Sequence, residues 1–306
     1  MGHMKMIETS LASASAALRD RVDEILAAAT REDGCAPLSE SFLNGLQRAD
    51  DGHVHSCVMD SHDQVVGVAA RDGDSAEVVV DPAFRRQGYG SFLIRHVVSQ
   101  GVKNVWAHGD GAGAKAVAKA LQLEQTRQLL VMAVEGDRLV ESAQLQVPSG
   151  FRVLALNEAY ESIPDIEQQW LRVNNEAFEW HPEQGGWDSA RLAQARDTQW
   201  FRESDVLFLI DTAKRTVAGF HWTKRHGDLA EGADGEVYVV GLGSAYRRRG
   251  LGDLLIRMGL HHLKYEHARR VILYVEGDNA SARRAYDALG FHVVESHVTY
   301  SPQSSS

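Results

Sequence analysis

The sequence predicts an α+β fold made twice over: two tandem domains, each a mostly antiparallel central sheet flanked by helices. Three observations predict it. The chain has 306 residues, beyond the roughly 250 to 300 at which one hydrophobic core stops growing, so two domains of about 150 are expected. The pattern Arg-x-x-Gly-x-Gly occurs twice, as Arg85-Arg86-Gln87-Gly88-Tyr89-Gly90 and as Arg247-Arg248-Arg249-Gly250-Leu251-Gly252. The flanks of the two turns also align. Val78 to Phe84 falls over Val240 to Tyr246 at an offset of 162 (250 minus 88). Asn104 to Ala107 and Ala120 to Leu123 fall over Ile272 to Val275 and Ala288 to Phe291 at an offset of 168 (272 minus 104). A period this long marks duplicated domains, each large enough to bury its own core.

Each copy reads in the same order. A helical stretch (Ser13 to Ala29; about Ile163 to Ala177) precedes short apolar strands. These are Ser56 to Met59 and Val65 to Ala70 in the first copy, and Val206 to Ile210 and Val217 to Thr223 in the second. The longest strand follows, then the Arg/Gly turn, an amphipathic helix (Asp253 to Leu263 in the second copy), a further strand, a second helix and a closing strand (Arg127 to Val134; His292 to Tyr300). Pro148, Ser149 and Gly150 mark a linker, so the expected division is a first domain over 5–140, a linker over 141–150 and a second domain over 151–301. Met1-Gly2-His3-Met4 reads as a vector remnant, and no basic segment with an apolar run follows it as in a signal peptide.

Composition narrows the function classes. Apolar residues are 44% and charged residues 24%, with no run of apolar residues long enough to span a bilayer, so a soluble protein off the membrane is expected. A formal net charge of −10 argues against nucleic acid and suits a neutral or cationic substrate such as an amine. Cys35 and Cys57 form no CxxC and no cluster at metal spacing, so neither a disulfide scaffold nor a metal site is expected, and the cytoplasm is the expected compartment. The chain is expected to act as a monomer.

The turn itself has legible chemistry. Gly250 and Gly252 allow the backbone to approach a ligand, and a strand, a glycine turn and a helix start together form an anion site, where free N–H groups and the helix dipole face a phosphate. The dinucleotide pattern Gly-x-Gly-x-x-Gly fails at its third glycine, and no Gly-Lys-Ser/Thr occurs. Either turn alone could be an ordinary helix start; two in equivalent contexts point to a cofactor.

On these residues the chain resembles the GCN5-related N-acetyltransferase superfamily, whose signature is Arg/Gln-x-x-Gly-x-Gly/Ala. The resemblance implies acetyl-CoA as co-substrate, with pantetheine on the strand before the turn and pyrophosphate on the turn and helix start. In the second copy it implies Val240, Gly241 and Leu242, then Arg247, Arg248, Arg249, Gly250, Leu251, Gly252 and Asp253. In the first copy the matching residues are Val79, Val80 and Asp81, then Gln87, Gly88, Tyr89, Gly90, Ser91 and Phe92.

Acetyl transfer to an amine needs a neutral nitrogen, hence a base, and the leaving thiolate must regain a proton, hence an acid. Glu236, at the start of its strand, is the candidate base, acting through water; a solvated strand-edge carboxylate is the bland alternative. Tyr286 is the candidate acid, two helical turns beyond Asn279; its spacing with Ala282 and Leu289 would also suit a core residue. Counting back from the turn sets Glu236 over Asp74, Tyr286 over Ala118 and Asn279 over Gly111. The first copy is therefore expected to hold acetyl-CoA without doing chemistry.

Longer words narrow the resemblance to the mycothiol synthases of actinobacteria. These are Arg172 to Phe178, His181-Pro182-Glu183-Gln184-Gly185-Gly186-Trp187, Gly219 to Lys224, Gly235 to Gly241 and Leu273 to Asn279, with Asp33 to Pro37 and Trp106 to Gly109 in the first half. The implied reaction acetylates the cysteinyl amine of cysteinyl-glucosaminyl-inositol, a small pseudodisaccharide. The resemblance implies substrate contacts at Glu40, Glu183, Lys224, Glu236 and Tyr274, and further cofactor contacts at Asn279, Ala280, Ser281, Ala282, Arg283 and Arg284. Pro182 and the Gly185-Gly186 pair suggest an exposed loop carrying Glu183, with Trp187 as its anchor. If Glu40 reaches the substrate, the pocket would lie between domains. Two other readings stay open, an acetyltransferase of another amine such as a protein N-terminus, and a non-catalytic acetyl-CoA sensor.

Overall fold

The computed structural model describes residues 4–47, 52–179 and 184–303. Two compact units emerge: Met1–Leu130 with Glu276–Asp278 and Glu295–Ser306, and Val131–Val275 with Asn279–Val294. In chain order the first half forms β1 (Lys5–Thr9), α1 (Ala16–Asp33), α2 (Glu40–Gln47), β2 (Val54–Met59), β3 (Val65–Asp72), β4 (Ser75–Val80), α3 (Tyr89–Ser99), β5 (Asn104–Ala107), α4 (Ala112–Ala120), β6 (Leu123–Glu135) and α5 (Gly136–Ser142). The second half forms β7 (Phe151–Ala155), α6 (Leu156–Ser162), α7 (Ile166–Ala177), α8 (Ser189–Arg196), β8 (Val206–Asp211), β9 (Thr216–Arg225), β10 (Gly235–Leu242), α9 (Leu251–Tyr265), β11 (Arg270–Glu276), α10 (Ala280–Ala288) and β12 (His292–Pro302). Among the described residues no helix is long and apolar enough to cross a membrane.

Each expected helix and strand is present, its ends shifted by a few residues, and the shifts have local causes. α1 starts late because Ser15 is its cap, the hydroxyl accepting from the Leu18 N–H, and it runs on to Gly34, whose left-handed φ of 69° ends it. β1, α2, α5, β7, α6 and α8 are additional elements, mostly short, whose patterns are too brief to stand out.

In the first unit β1, β2, β3 and β4 pair antiparallel and β4 pairs parallel with β5, a mixed α+β arrangement. The strand beside β5 is Val298–Tyr300 of β12, running antiparallel to it. Helices α1 and α2 cover one face, where Val22, Ile25, Phe42 and Leu46 meet Val68 and Ala70. Helix α3 covers the other with Leu93 and Val97 against Val66 and Ala69. In the second unit β7, β8, β9 and β10 pair antiparallel and β10 pairs parallel with β11. One face carries a core around Trp170 of α7 with Phe208, Phe220 and Trp222, whose rings meet edge to face. α9 closes the other with Leu254, Leu255 and Met258 against Leu207, Leu209 and Ala218.

Candidate active site

The two glycine turns fold alike. A short 3-10 turn, Pro82–Phe84 or Ser244–Tyr246, leads into an arginine with positive φ, 65° at Arg86 and 61° at Arg248. A left-handed glycine then caps the helix, Gly88 at 92° and Gly250 at 74°. Neither helix start has a side-chain cap, and a Cβ added at Gly250 or Gly252 would meet nothing within 4 Å. The first turn of N–H groups and the space over it thus fit a phosphate. The leading arginine of each turn is committed to protein: Arg85 forks onto Asp33 at 2.7 Å, and Arg247 donates to the Glu176 carbonyl. Both tie the turn to the end of the preceding long helix. Leu251 and Tyr89 pack into the cores, and the Asp81 carboxylate is held by Arg21 and the Ala83 N–H.

Cavities lie at both strand ends. In the second unit Glu176, Phe178, Arg247 and the strand end Val240, Gly241 and Leu242 line about 490 Å³. Gly241 is required there, since a Cβ would sit 2.6 Å from the Phe220 ring. In the first unit about 500 Å³ is lined by Val78 to Val80, Gly88 to Ser91, Trp106 and Val117, among others. Its rim holds a polar network: Cys35 Sγ donates to Glu295 Oε2 at 3.4 Å, His297 Nε2 lies 3.6 Å from the same oxygen, and His108 Nε2 lies 3.0 Å from Glu77. Cys35, Glu295 and His297 offer ligand atoms within 4.8 Å of one another. Their partners already satisfy them, since the Gly109 N–H lies 3.3 Å from His297 Nδ1 and leaves Nε2 to carry the ring proton. Burial, with Glu295 adding, pushes the Cys35 thiol up to about 12.

The decisive difference lies along the strands leading to the turns. β4 runs in unbroken register against β3, whereas β10 steps from Val237 opposite Thr223 to Val239 opposite Trp222, so Tyr238 is the extra residue of a β-bulge. The bulge corrects the count along the strand. Glu236 pairs in parallel with Ile272 and Ser75 with Asn104, so the residue in the place of Glu236 is Ser75, not Asp74. No carboxylate occupies that position in the first unit.

Glu236 is 5% exposed and directly opposite Lys224 on β9, so both side chains share the face carrying Trp222. His226 Nε2 sits 2.7 Å from Glu236 Oε2. The Lys224 ammonium lies over the rings of Trp200 and Tyr238, at 4.9 and 5.8 Å. Buried cation and buried carboxylate thus stand side by side, framed by aromatic rings.

On α10 the Asn279 side chain caps the helix by accepting from the Ala282 N–H at 3.1 Å, while Gly111 at the start of α4 has no such group. Asn279 caps and Ala280 to Arg284 open a helix with no buried residue. Half-buried Tyr286 packs edge to face on Phe291, and burial raises its hydroxyl above the ordinary phenol value, so it stays protonated at neutral pH. In the first unit Ala118 stands there, buried in a small core with Val298 and Tyr300.

Tyr274 is exposed on β11, one residue beyond Leu273, the partner of Val237. Glu40 opens α2 in the first unit. Glu183 lies outside the described residues. At the described residues that follow it, Asn174 donates to the Gln184 carbonyl, and Asn175 both donates to the Trp187 carbonyl and accepts from the Trp187 N–H, each at 2.8 Å. Sequence reasoning singled out neither these asparagines nor His226, Trp200 and Tyr238. A period-2 reading from Lys224 would have placed His226 on the same face.

Comparison with known proteins gives the family of both halves. Residues 170–291 match the profile of the acetyltransferase (GNAT) family and residues 51–129 that of an acetyltransferase (GNAT) domain. A tandem GNAT protein from the clavulanic acid biosynthesis pathway superposes with a TM-score of 0.70 over 98% of both chains at 17% identity. A GCN5-related N-acetyltransferase of Sphaerobacter thermophilus does so at 0.69 over 96% of this chain and 94% of that one, at 18% identity. At such identities the likeness is one of fold. In sequence, the chain is 99% identical over 303 residues to a mycothiol acetyltransferase of Corynebacterium diphtheriae, covering 99% of this chain and all of that one. It is 49% identical to that of Corynebacterium efficiens over 92% of each. The chain belongs to the mycothiol acetyltransferase family of the GNAT acetyltransferases.

Proposed function

We propose that the second unit transfers the acetyl group of acetyl-CoA to the cysteinyl amine of cysteinyl-glucosaminyl-inositol, the last step of mycothiol biosynthesis. The observation that carries the reading is the bulge-bearing strand β10. It joins an acetyl-CoA turn to a buried carboxylate, and in the first unit Ser75 stands in that carboxylate's place. Glu236, through water, takes the proton of the substrate ammonium. The neutral nitrogen then bonds to the thioester carbon, the carbon–sulfur bond breaks, and the sulfur takes the proton of Tyr286; the nitrogen sheds its second proton to water as the amide forms, and solvent returns a proton to the Tyr286 phenolate. Backbone groups at Val240 to Leu242 and at the start of α9 hold the co-substrate, and Asn279 to Arg284 extend that contact. Lys224, Tyr274, Glu40 and Glu183 bond the sugar and inositol hydroxyls. The first unit holds acetyl-CoA without turnover, and the enzyme works as a monomer in the cytoplasm on a small soluble substrate, without a metal.

The test supplies acetyl-CoA with the pseudodisaccharide amine and follows CoA release. Turnover with that amine and little with peptide N-termini is expected. Turnover on the peptides alone would reject the substrate, and binding of acetyl-CoA with no turnover on either would favour a sensor.

A further inference from the structure

We infer that His226 is a positioning residue of the reaction, holding the Glu236 carboxylate in the one orientation from which it meets the incoming amine. The inference rests on the reading of Glu236 as the base. β9 ends at Arg225, so His226 follows Lys224 at a spacing of two and faces the same side of the sheet, diagonal to Glu236. An ionised carboxylate only accepts hydrogen bonds, so His226 Nε2, 2.7 Å from Oε2, carries the shared proton. One oxygen is thereby committed to the ring, and rotation of the carboxylate is stopped.

The backbone that carries the ring is itself fixed. The His226 N–H donates to the Asp234 carbonyl at 3.0 Å and closes the β9–β10 connection. Within that connection the Asp228 carboxylate accepts from the Ala230 N–H at 2.9 Å, and Leu229 is buried. On the opposite side Arg225 is clamped by Asp205 and Glu266, with His262 also 2.7 Å from Asp205. Burial opposes the charge on Asp205, but His262 and Arg225 outweigh it and hold its carboxyl below the usual range. The two residues flanking the connection, Arg225 and Asp234, are thus ion-paired, Asp234 to Arg270 at 3.3 Å. A hairpin held this firmly delivers a histidine to one place. The ring is also about a third exposed, which makes the position accessible to a small molecule.

A base that can swing away from the proton it must take loses effective reach, and a displacement of about 1 Å can cost on the order of 100-fold. His226→Ala is therefore expected to lower kcat about 10- to 100-fold while KM for acetyl-CoA stays unchanged. His226→Gln, whose amide N–H can reach the same oxygen, keeps most of the turnover, and added imidazole raises kcat of the alanine variant. In a Glu236→Gln background the loss of His226 costs nothing more, because its effect passes through that carboxylate. Should the alanine variant fold poorly, His226→Phe fills the space without a donor and carries the same comparison. Wild-type kcat in His226→Ala beside a crippled Glu236→Gln would overturn the inference and leave the base reading standing, as would losses that multiply in the double variant. Normal turnover of Glu236→Gln would overturn the base reading itself.

Discussion

Set beside the second unit, the first has the same glycine turn at nearly the same backbone angles, the same uncapped helix start and a cavity as large. Along the adjoining strand the two part company: β10 bulges at Tyr238 and carries Glu236, whereas β4 runs straight with Ser75 in that position. The difference shows which requirement each function makes. Holding a pyrophosphate needs backbone N–H groups, a dipole and glycine φ angles, and these survive changes to most side chains. Proton transfer needs a particular side chain at a particular place, and β4 carries Ser75 where β10 carries Glu236.

Glu236→Ser would give β10 the residue that β4 carries at that place. It removes the general base, so kcat should fall on the order of 100- to 10,000-fold, while titration calorimetry still detects acetyl-CoA binding. Retained turnover would mean that the carboxylate is incidental. Tyr286→Phe removes the proton donor and should lower kcat about 100-fold. Any substitution at Ala118, its counterpart, that leaves the fold intact should leave kcat alone; equal effects would break the asymmetry.

The units should differ less in their response to acid. Burial lowers His55 in the first and His221 in the second to about 4. Below an unfolded value near 6.5 the unfolded chain takes up protons that the folded rings refuse, so stability falls as pH drops from about 6.5 to 4. Each ring contributes on the order of 3 kcal/mol to that fall, visible as a lower urea midpoint at pH 4.5 than at pH 7. Equal midpoints would contradict the burial of both rings. The smallest effect belongs to the helix cap: Asn279→Ala should cost about 1 kcal/mol in thermal unfolding, and Gly111→Ala at the start of α4, where no side-chain bond exists, much less.

Much of this arrangement is legible in the sequence because it is local. The Arg-x-x-Gly-x-Gly turns, the cap at Asn279 and the contrast of Tyr286 with Ala118 all follow from short spacings. What is not legible depends on pairing. The bulge is a matter of which backbone groups bond across two strands, so counting back from the turn sets Glu236 over Asp74, one residue out of register with its true counterpart. The strand beside β5 comes from the other end of the chain, and Cys35 meets Glu295 across 260 residues; no spacing reports either. The role of the leading arginine was likewise hidden, since its partner in each copy, Asp33 or Glu176, sits on a distant helix.

The central claim is that chemistry resides in the second unit alone. Glu77, 2% exposed on β4, is the buried carboxylate that a working first site would have to use. Measuring kcat for acetylation of the pseudodisaccharide amine by Glu236→Gln and by Glu77→Gln compares the units directly. Collapse in the first variant with near wild-type turnover in the second is the expected result; comparable losses in both would contradict the account.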